Sequence, residues 1–148
     1  MNYLTHQLLN AKELNLIKKE LEEASQDWED GKNTAGSHAS KVKNNLQLRR
    51  QSDISKKLSL LVKKKLLSND LIKSFTLPKH FHGIMFTKSS KGMKYGRHID
   101  NAYMSSGRAD LSFTIFLSEK KQYEGGELLI ENLSSESEFK LDLSLIHI

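Results

Sequence analysis

His98 and Asp100 stand two positions apart in the stretch Tyr95-Gly96-Arg97-His98-Ile99-Asp100-Asn101. Strand side chains repeat every second residue, so on a strand this imidazole and carboxylate project from one face and can share a metal ion. With a second histidine from elsewhere they would form the facial triad of non-haem Fe(II) oxygenases. Taken alone, His-x-Asp recurs by chance, and most such pairs are surface residues. Here the pair comes late in a predicted strand and is followed by a polar loop. The next predicted strand, 111–118, is hydrophobic enough to wall a pocket.

The elements around the pair can be read from pattern and punctuation. Residues 81–87 read as a strand, Ser89-Ser90-Lys91-Gly92 as a turn, and 93–100 as the strand that carries the pair. Residues 111–118 alternate only loosely, which suits a strand buried on both faces. Gly125-Gly126 opens a further strand at 127–131, and 139–143 offers one more. Two helices come first. Asn10 caps one that runs to about Ala24, with Leu14, Ile17, Leu21 and Ala24 on one face. The second begins near Ser52 or Asp53, carries Ile54, Leu58, Leu61, Val62 and Leu66, and ends at Asn69-Asp70. Between them, 27–40 is polar, contains glycine and reads as a loop. Helices followed by short strands predict an α+β domain with an antiparallel sheet, as in a jelly roll.

Bulk properties narrow the class. The chain has 148 residues, enough for one domain, and its apolar fraction of 37% allows one core. With no cysteine, disulfides and thiolate zinc sites are excluded. No stretch reads as a signal peptide or reaches the apolar length of a membrane span, so a cytoplasmic location without membrane association is expected. The net charge of +5 is concentrated at 41–65, in Arg49-Arg50, Lys56-Lys57 and Lys63-Lys64-Lys65. No aromatic residues interleave with these charges, so a solvated helix face is expected and not a nucleic-acid platform.

Several ordered motifs resemble those of the PKHD-type hydroxylases, bacterial relatives of the prolyl 4-hydroxylase group. They are Tyr95-Gly96-Arg97-His98-Ile99-Asp100-Asn101-Ala102, then Gly107-Arg108-Ala109-Asp110-Leu111-Ser112-Phe113-Thr114-Ile115-Phe116-Leu117-Ser118, then Tyr123-Glu124-Gly125-Gly126-Glu127-Leu128. Earlier in the chain, Trp28-Glu29-Asp30-Gly31-Lys32-Asn33-Thr34-Ala35-Gly36, Val42-Lys43-Asn44-Asn45-Leu46-Gln47-Leu48 and Leu77-Pro78-Lys79 agree as well. The resemblance runs from about residue 3 to 141. It implies N-terminal helices packed on a double-stranded β-helix, and an Fe(II)- and 2-oxoglutarate-dependent dioxygenase with ascorbate as auxiliary reductant. His98 and Asp100 would be the first two iron ligands. A small molecule or a peptide would be hydroxylated, with release of succinate and CO2.

Other residues carry two readings each. Tyr95 contacts substrate or fills a cross-strand gap. Asn101 and Arg108 shape the loop after the pair, or Arg108 makes a surface salt link, while Asp110 steers the chain into the next strand. Gly125-Gly126 is turn geometry. Trp28, Asp30-Gly31 and Thr34-Ala35-Gly36 border the substrate entrance or pack under the sheet. His80 and His82 match no family motif and read as exposed edge residues, and His6 and His38 as surface residues.

The chain also departs from the family. A second metal-binding histidine and the arginine that pairs with the far carboxylate of 2-oxoglutarate are expected on late strands, and neither is reached. Residues 143–148 do not resemble the family's continuation and read as an in-frame adapter translation. The expected organisation is therefore a partial dioxygenase domain at 1–142, incomplete at its C-terminus, with a non-native tail at 143–148 and negligible turnover by this piece alone. His147 falls earlier than the family's spacing places its second histidine. The alternative to an enzyme is a non-catalytic binding module on the same fold.

Overall fold

Asn10 opens the first helix by a reciprocal exchange. Its Oδ1 accepts from the Glu13 amide (3.0 Å), and the Glu13 carboxylate accepts from the Asn10 amide (3.0 Å). This capping box satisfies two amide donors that the helix cannot use internally. Helix α1 then spans Ala11–Glu23 and buries Leu14 and Ile17, with Ala24 buried just beyond its end. The Ser52 hydroxyl accepts from the Ser55 amide and starts α2, Asp53–Ser68, whose Leu58, Val62 and Leu66 form a buried stripe at helical spacing. Asn69 ends α2 as expected, and in the same place it begins a helix that pattern reading missed. Its Oδ1 accepts from the Ile72 amide (3.0 Å) and caps α3, Asp70–Thr76. Seven residues are too few for periodicity to declare a helix.

The computed structural model describes residues 3–131 and 133–148. Its strands, in chain order, are β1 Thr5–Gln7, β2 Trp28–Asp30, β3 Lys43–Asn44, β4 Leu46–Leu48, β5 Thr87–Lys88, β6 Lys94–Tyr95, β7 Tyr103–Met104, β8 Gly107–Arg108, β9 Thr114–Ile115, β10 Leu128–Glu131, β11 Glu136–Phe139 and β12 Leu145–His147. Among the described residues they form five small sheets, and every pairing is antiparallel. The α+β class with antiparallel sheets therefore stands.

The chain divides into two units, residues 3–18 with 111–148, and residues 19–110. In the first, β12 lies between β1 and β9, and β10 pairs with β11. Residues 143–148 thus carry the central strand of a three-stranded sheet, with Ile146 fully buried. In the second unit β4 lies between β2 and β5, β3 pairs with β6, and β7 with β8.

The strands are shorter than their sequence pattern predicts. The expected strand at 81–87 begins only at Thr87, that at 93–100 is confined to Lys94–Tyr95, and that at 111–118 to Thr114–Ile115. The strand expected at 139–143 falls earlier, at Glu136–Phe139, while the one at 127–131 is found as β10. The 27–40 segment is less irregular than expected, since it contains β2 and short 3-10 turns. β-propensity reports fitness for a pleated surface, but a strand persists only where a partner pairs with it. Among the described residues β9 is an edge strand, paired with β12 on one side. Leu111, upstream of it, is 53% exposed, so this segment is not buried on both faces.

Candidate metal centre

The site begins at the β3–β6 pairing, which sets Tyr95 opposite Lys43. The Gly96 amide then donates to the Val42 carbonyl (2.8 Å), so two backbones approach closely. A Cβ on Gly96 would lie 3.1 Å from that of Val42. Beyond Gly96 pairing stops. His98, Ile99 and Asp100 lie in an irregular segment and not in the predicted strand. Among the described residues no strand continues the ladder here.

The same-side relation holds without the ladder. His98 Nε2 lies 3.4 Å from Asp100 Oδ1, while Ile99 between them is 94% exposed. His98 Nδ1 lies 2.9 Å from the Gly96 carbonyl oxygen. A carbonyl only accepts, so Nδ1 carries the hydrogen and donates, and in the neutral ring Nε2 keeps its lone pair. Nε2 faces a carboxylate oxygen at a separation that suits either a shared proton or a shared metal ion. Ligands at right angles on one ion, about 2.1 Å from it, stand about 3 Å apart, close to the separation here. The donor set thus fits a divalent ion such as Fe(II). Among the described residues no third His, Cys, Asp or Glu joins the two. The His147 side chain lies outside the described residues.

Tyr95 stacks on the His98 ring, with centroids 3.8 Å apart and planes within 10°. It therefore holds the imidazole plane as the Gly96 carbonyl holds its rotation. Burial, and then the nearby charge of Asp100, push the Tyr95 phenol above its ordinary range and keep it protonated. Lys43 Nζ lies 4.9 Å from the centroid of the same ring.

The remaining candidates have plainer roles. Asn101 Oδ1 accepts from the Tyr103 amide (3.2 Å) and turns the chain into β7. Arg108 pairs with Asp110, the surface link weighed for it from sequence. Gly125 and Gly126 take positive φ of 71° and 73°, as a turn requires. Asp30 caps the turn that follows β2 by accepting from the Lys32 amide (2.9 Å). His82 is more than an edge residue. Its Nε2 donates to the Arg108 carbonyl (2.8 Å) and its Nδ1 accepts from the Ser106 hydroxyl (2.7 Å), which pins the β7–β8 hairpin just after the pair.

Sequence reasoning missed a buried polar row beneath Tyr95. Lys43, Asn45 and Gln47 are 3%, 6% and 0% exposed. Lys43 Nζ donates to Gln47 Oε1 (3.2 Å) and contacts Thr34 Oγ1 (3.5 Å). Burial, then the charge of Arg50, hold its ammonium below the usual lysine range, and Asp30 partly opposes this. The signal was present as alternation, Lys-x-Asn-x-Gln, but polar alternation reads equally as an exposed face. Gly31 closes the row. Its amide donates to the Asn45 carbonyl (2.9 Å), and a Cβ there would meet Asn45 Oδ1 at 2.0 Å and the Asn45 carbonyl oxygen at 3.0 Å. Gly31→Ala is therefore expected to cost about 1–3 kcal/mol by overpacking, read as a lower urea midpoint. An unchanged midpoint would mean that Gly31 and Asn45 are not in contact.

An α+β chain carrying an oriented imidazole–carboxylate pair is what the fold and geometry define. No family-level sequence profile matches it, but individual relatives do. It is 72% identical over 142 residues to a PKHD-type hydroxylase of Prochlorococcus marinus strain MIT 9215, covering 96% of this chain and 64% of that protein. The corresponding protein of strain MIT 9301 is 71% identical over 143 residues, covering 96% and 64%, and that of strain MIT 9211 is 53% identical over 146, covering 99% and 66%. Over nearly all of its own length the chain is similar to proteins named PKHD-type hydroxylases, and it spans about 64% of the length of the first two relatives. No helix among the described residues is long and apolar enough to cross a membrane.

Proposed function

We propose that the whole protein is an Fe(II)- and 2-oxoglutarate-dependent hydroxylase in which His98 and Asp100 are two of the iron's ligands. The observation that carries this reading is the 3.4 Å approach of His98 Nε2 to Asp100 Oδ1, with Nδ1 committed to the Gly96 carbonyl. High identity to proteins named as hydroxylases supports it. Iron bound there would supply the oxidation of a C–H bond by O2, coupled to conversion of 2-oxoglutarate to succinate and CO2, with ascorbate as auxiliary reductant.

This chain's own residues orient and shield. Gly96 and Tyr95 fix the imidazole in rotation and plane, and such outer contacts are worth about 10–100-fold in metal affinity. The neutral Tyr95 phenol adds no competing negative charge. His82 holds the hairpin that borders the pair. In the whole protein we expect a double-stranded β-helix to frame these residues and later strands to complete the ligand set. With two ligands from the described residues, this chain is expected to hold metal weakly and release negligible succinate. We read residues 143–148 as foreign to the native protein, a reading that rests on sequence.

The test is Fe(II)-dependent release of succinate from 2-oxoglutarate by the whole protein, together with Mn(II) binding by this chain followed by electron paramagnetic resonance. Activity indifferent to Fe(II), or Mn(II) binding indifferent to both residues, would overturn the reading.

A further inference from the structure

Helix α2 carries a second apolar line. Leu58, Val62 and Leu66 are buried, while Leu60 and Leu67, seven residues apart and so on one side of the helix, are exposed. Lys63, Lys64 and Ser68 join them around a shallow groove of about 470 Å³. Among the described residues no carboxylate lines it, and Lys63 Nζ leans over the Phe81 ring, 5.6 Å from its centroid. Scattered exposed leucines need no partner. Leucines that close a groove between cations make a patch with a definite complement, apolar at its centre and acidic at its rim. The β10–β11 hairpin presents that complement. Its register sets Leu129 opposite Glu138 and Glu131 opposite Glu136, so these four share one face. That face is the outer one, with Leu129 55% exposed and the three glutamates exposed, while Leu128, Ile130, Ser137 and Phe139 on the other face are half-buried. Glu131 and Glu136 stand directly opposite, where like charges repel, and lysines docked against them would relieve that.

We propose that the outer face of the β10–β11 hairpin of one copy docks on the α2 groove of a second copy of this chain. Leu129 enters the groove beside Leu60 and Leu67, and Glu131, Glu136 and Glu138 meet Lys63 and Lys64. Each copy carries one groove and one hairpin, so the contact joins unlike surfaces. The leucines supply burial. The charges set the pairing, because groove on groove and hairpin on hairpin both bring like charges together. The His98–Asp100 pair takes no part in this contact.

Sedimentation velocity of the native 148-residue chain over a concentration series should show reversible self-association. Raising salt from about 0.05 M to about 0.5 M should weaken it at least about tenfold. Lys63→Glu with Lys64→Glu makes the groove acidic, and Glu136→Lys with Glu138→Lys makes the hairpin face net basic. Each double variant alone should sediment as a monomer, since its two surfaces then carry the same net sign. Mixed, the two should associate again, the groove of one on the hairpin of the other. All four positions are exposed, and the salt series reads the contact in the native chain whether or not a variant folds. A native chain that stays monomeric, with or without binding to phosphatidylserine vesicles, would overturn the proposal. So would association indifferent to salt, association that survives in either double variant, or a mixture of the folded variants that stays monomeric.

Discussion

Replacing His98 by alanine is expected to abolish measurable Mn(II) binding by this chain and, in the whole protein, to lower Fe(II)-dependent succinate release by more than about 100-fold. Asp100 would remain, but its side chain is 72% exposed and a single solvated carboxylate holds a divalent ion poorly. The loss should be larger than that from any neighbour. Tyr95→Leu removes the stacked ring yet leaves both donors, so it should cost only about 10-fold in metal affinity. Tyr95→Phe keeps the ring and should bind metal nearly as the native chain does. This ordering separates a ligand from the residues that orient it. If Tyr95→Leu and His98→Ala were equally damaging, the imidazole would be a packing residue and the metal assignment would fall.

The second large effect lies in α2. Leu58 is completely buried, with Val62 and Leu66 buried one and two turns further on. Leu58→Ala deletes buried methyl groups and leaves a cavity, at a cost of about 2–5 kcal/mol. Domains of this kind have only about 5–15 kcal/mol in total, so a large part of the urea stability should vanish. Leu60 on the same helix is 69% exposed, and Leu60→Ala should stay within about 0.5 kcal/mol. Urea titration followed by circular dichroism at the helix band reads both. Equal effects would mean that the buried stripe does not seat α2.

The helices were legible because their signals are local. Asn10 with Glu13, and Ser52 with Ser55, lie within one turn of each other, and the Leu58-Val62-Leu66 stripe repeats at the helical period. The turn at Lys91-Gly92 was legible for the same reason, with Gly92 at a φ of 81°. The His98–Asp100 pair was also legible, although the strand expected to carry it ends at Tyr95. Two-residue alternation needs only an extended backbone, not a hydrogen-bonded partner. Strand ends were not legible, because the residue that stops a ladder is the one whose partner turns away.

What surrounds the pair could not be read from it. Lys43 meets Tyr95 only because β3 pairs with β6 in one register, and a slip of one residue would send each side chain to the opposite face. The sequence by itself therefore determined the helix caps, the apolar stripes, the similarity to hydroxylases and the same-side placement of His98 and Asp100, since each depends on residues close together or on motif identity. Only the tertiary structure decided that a lysine lies buried against the Tyr95 ring. That outcome depends on pairing between distant segments, and pairing is a property of the closed chain that no short window contains.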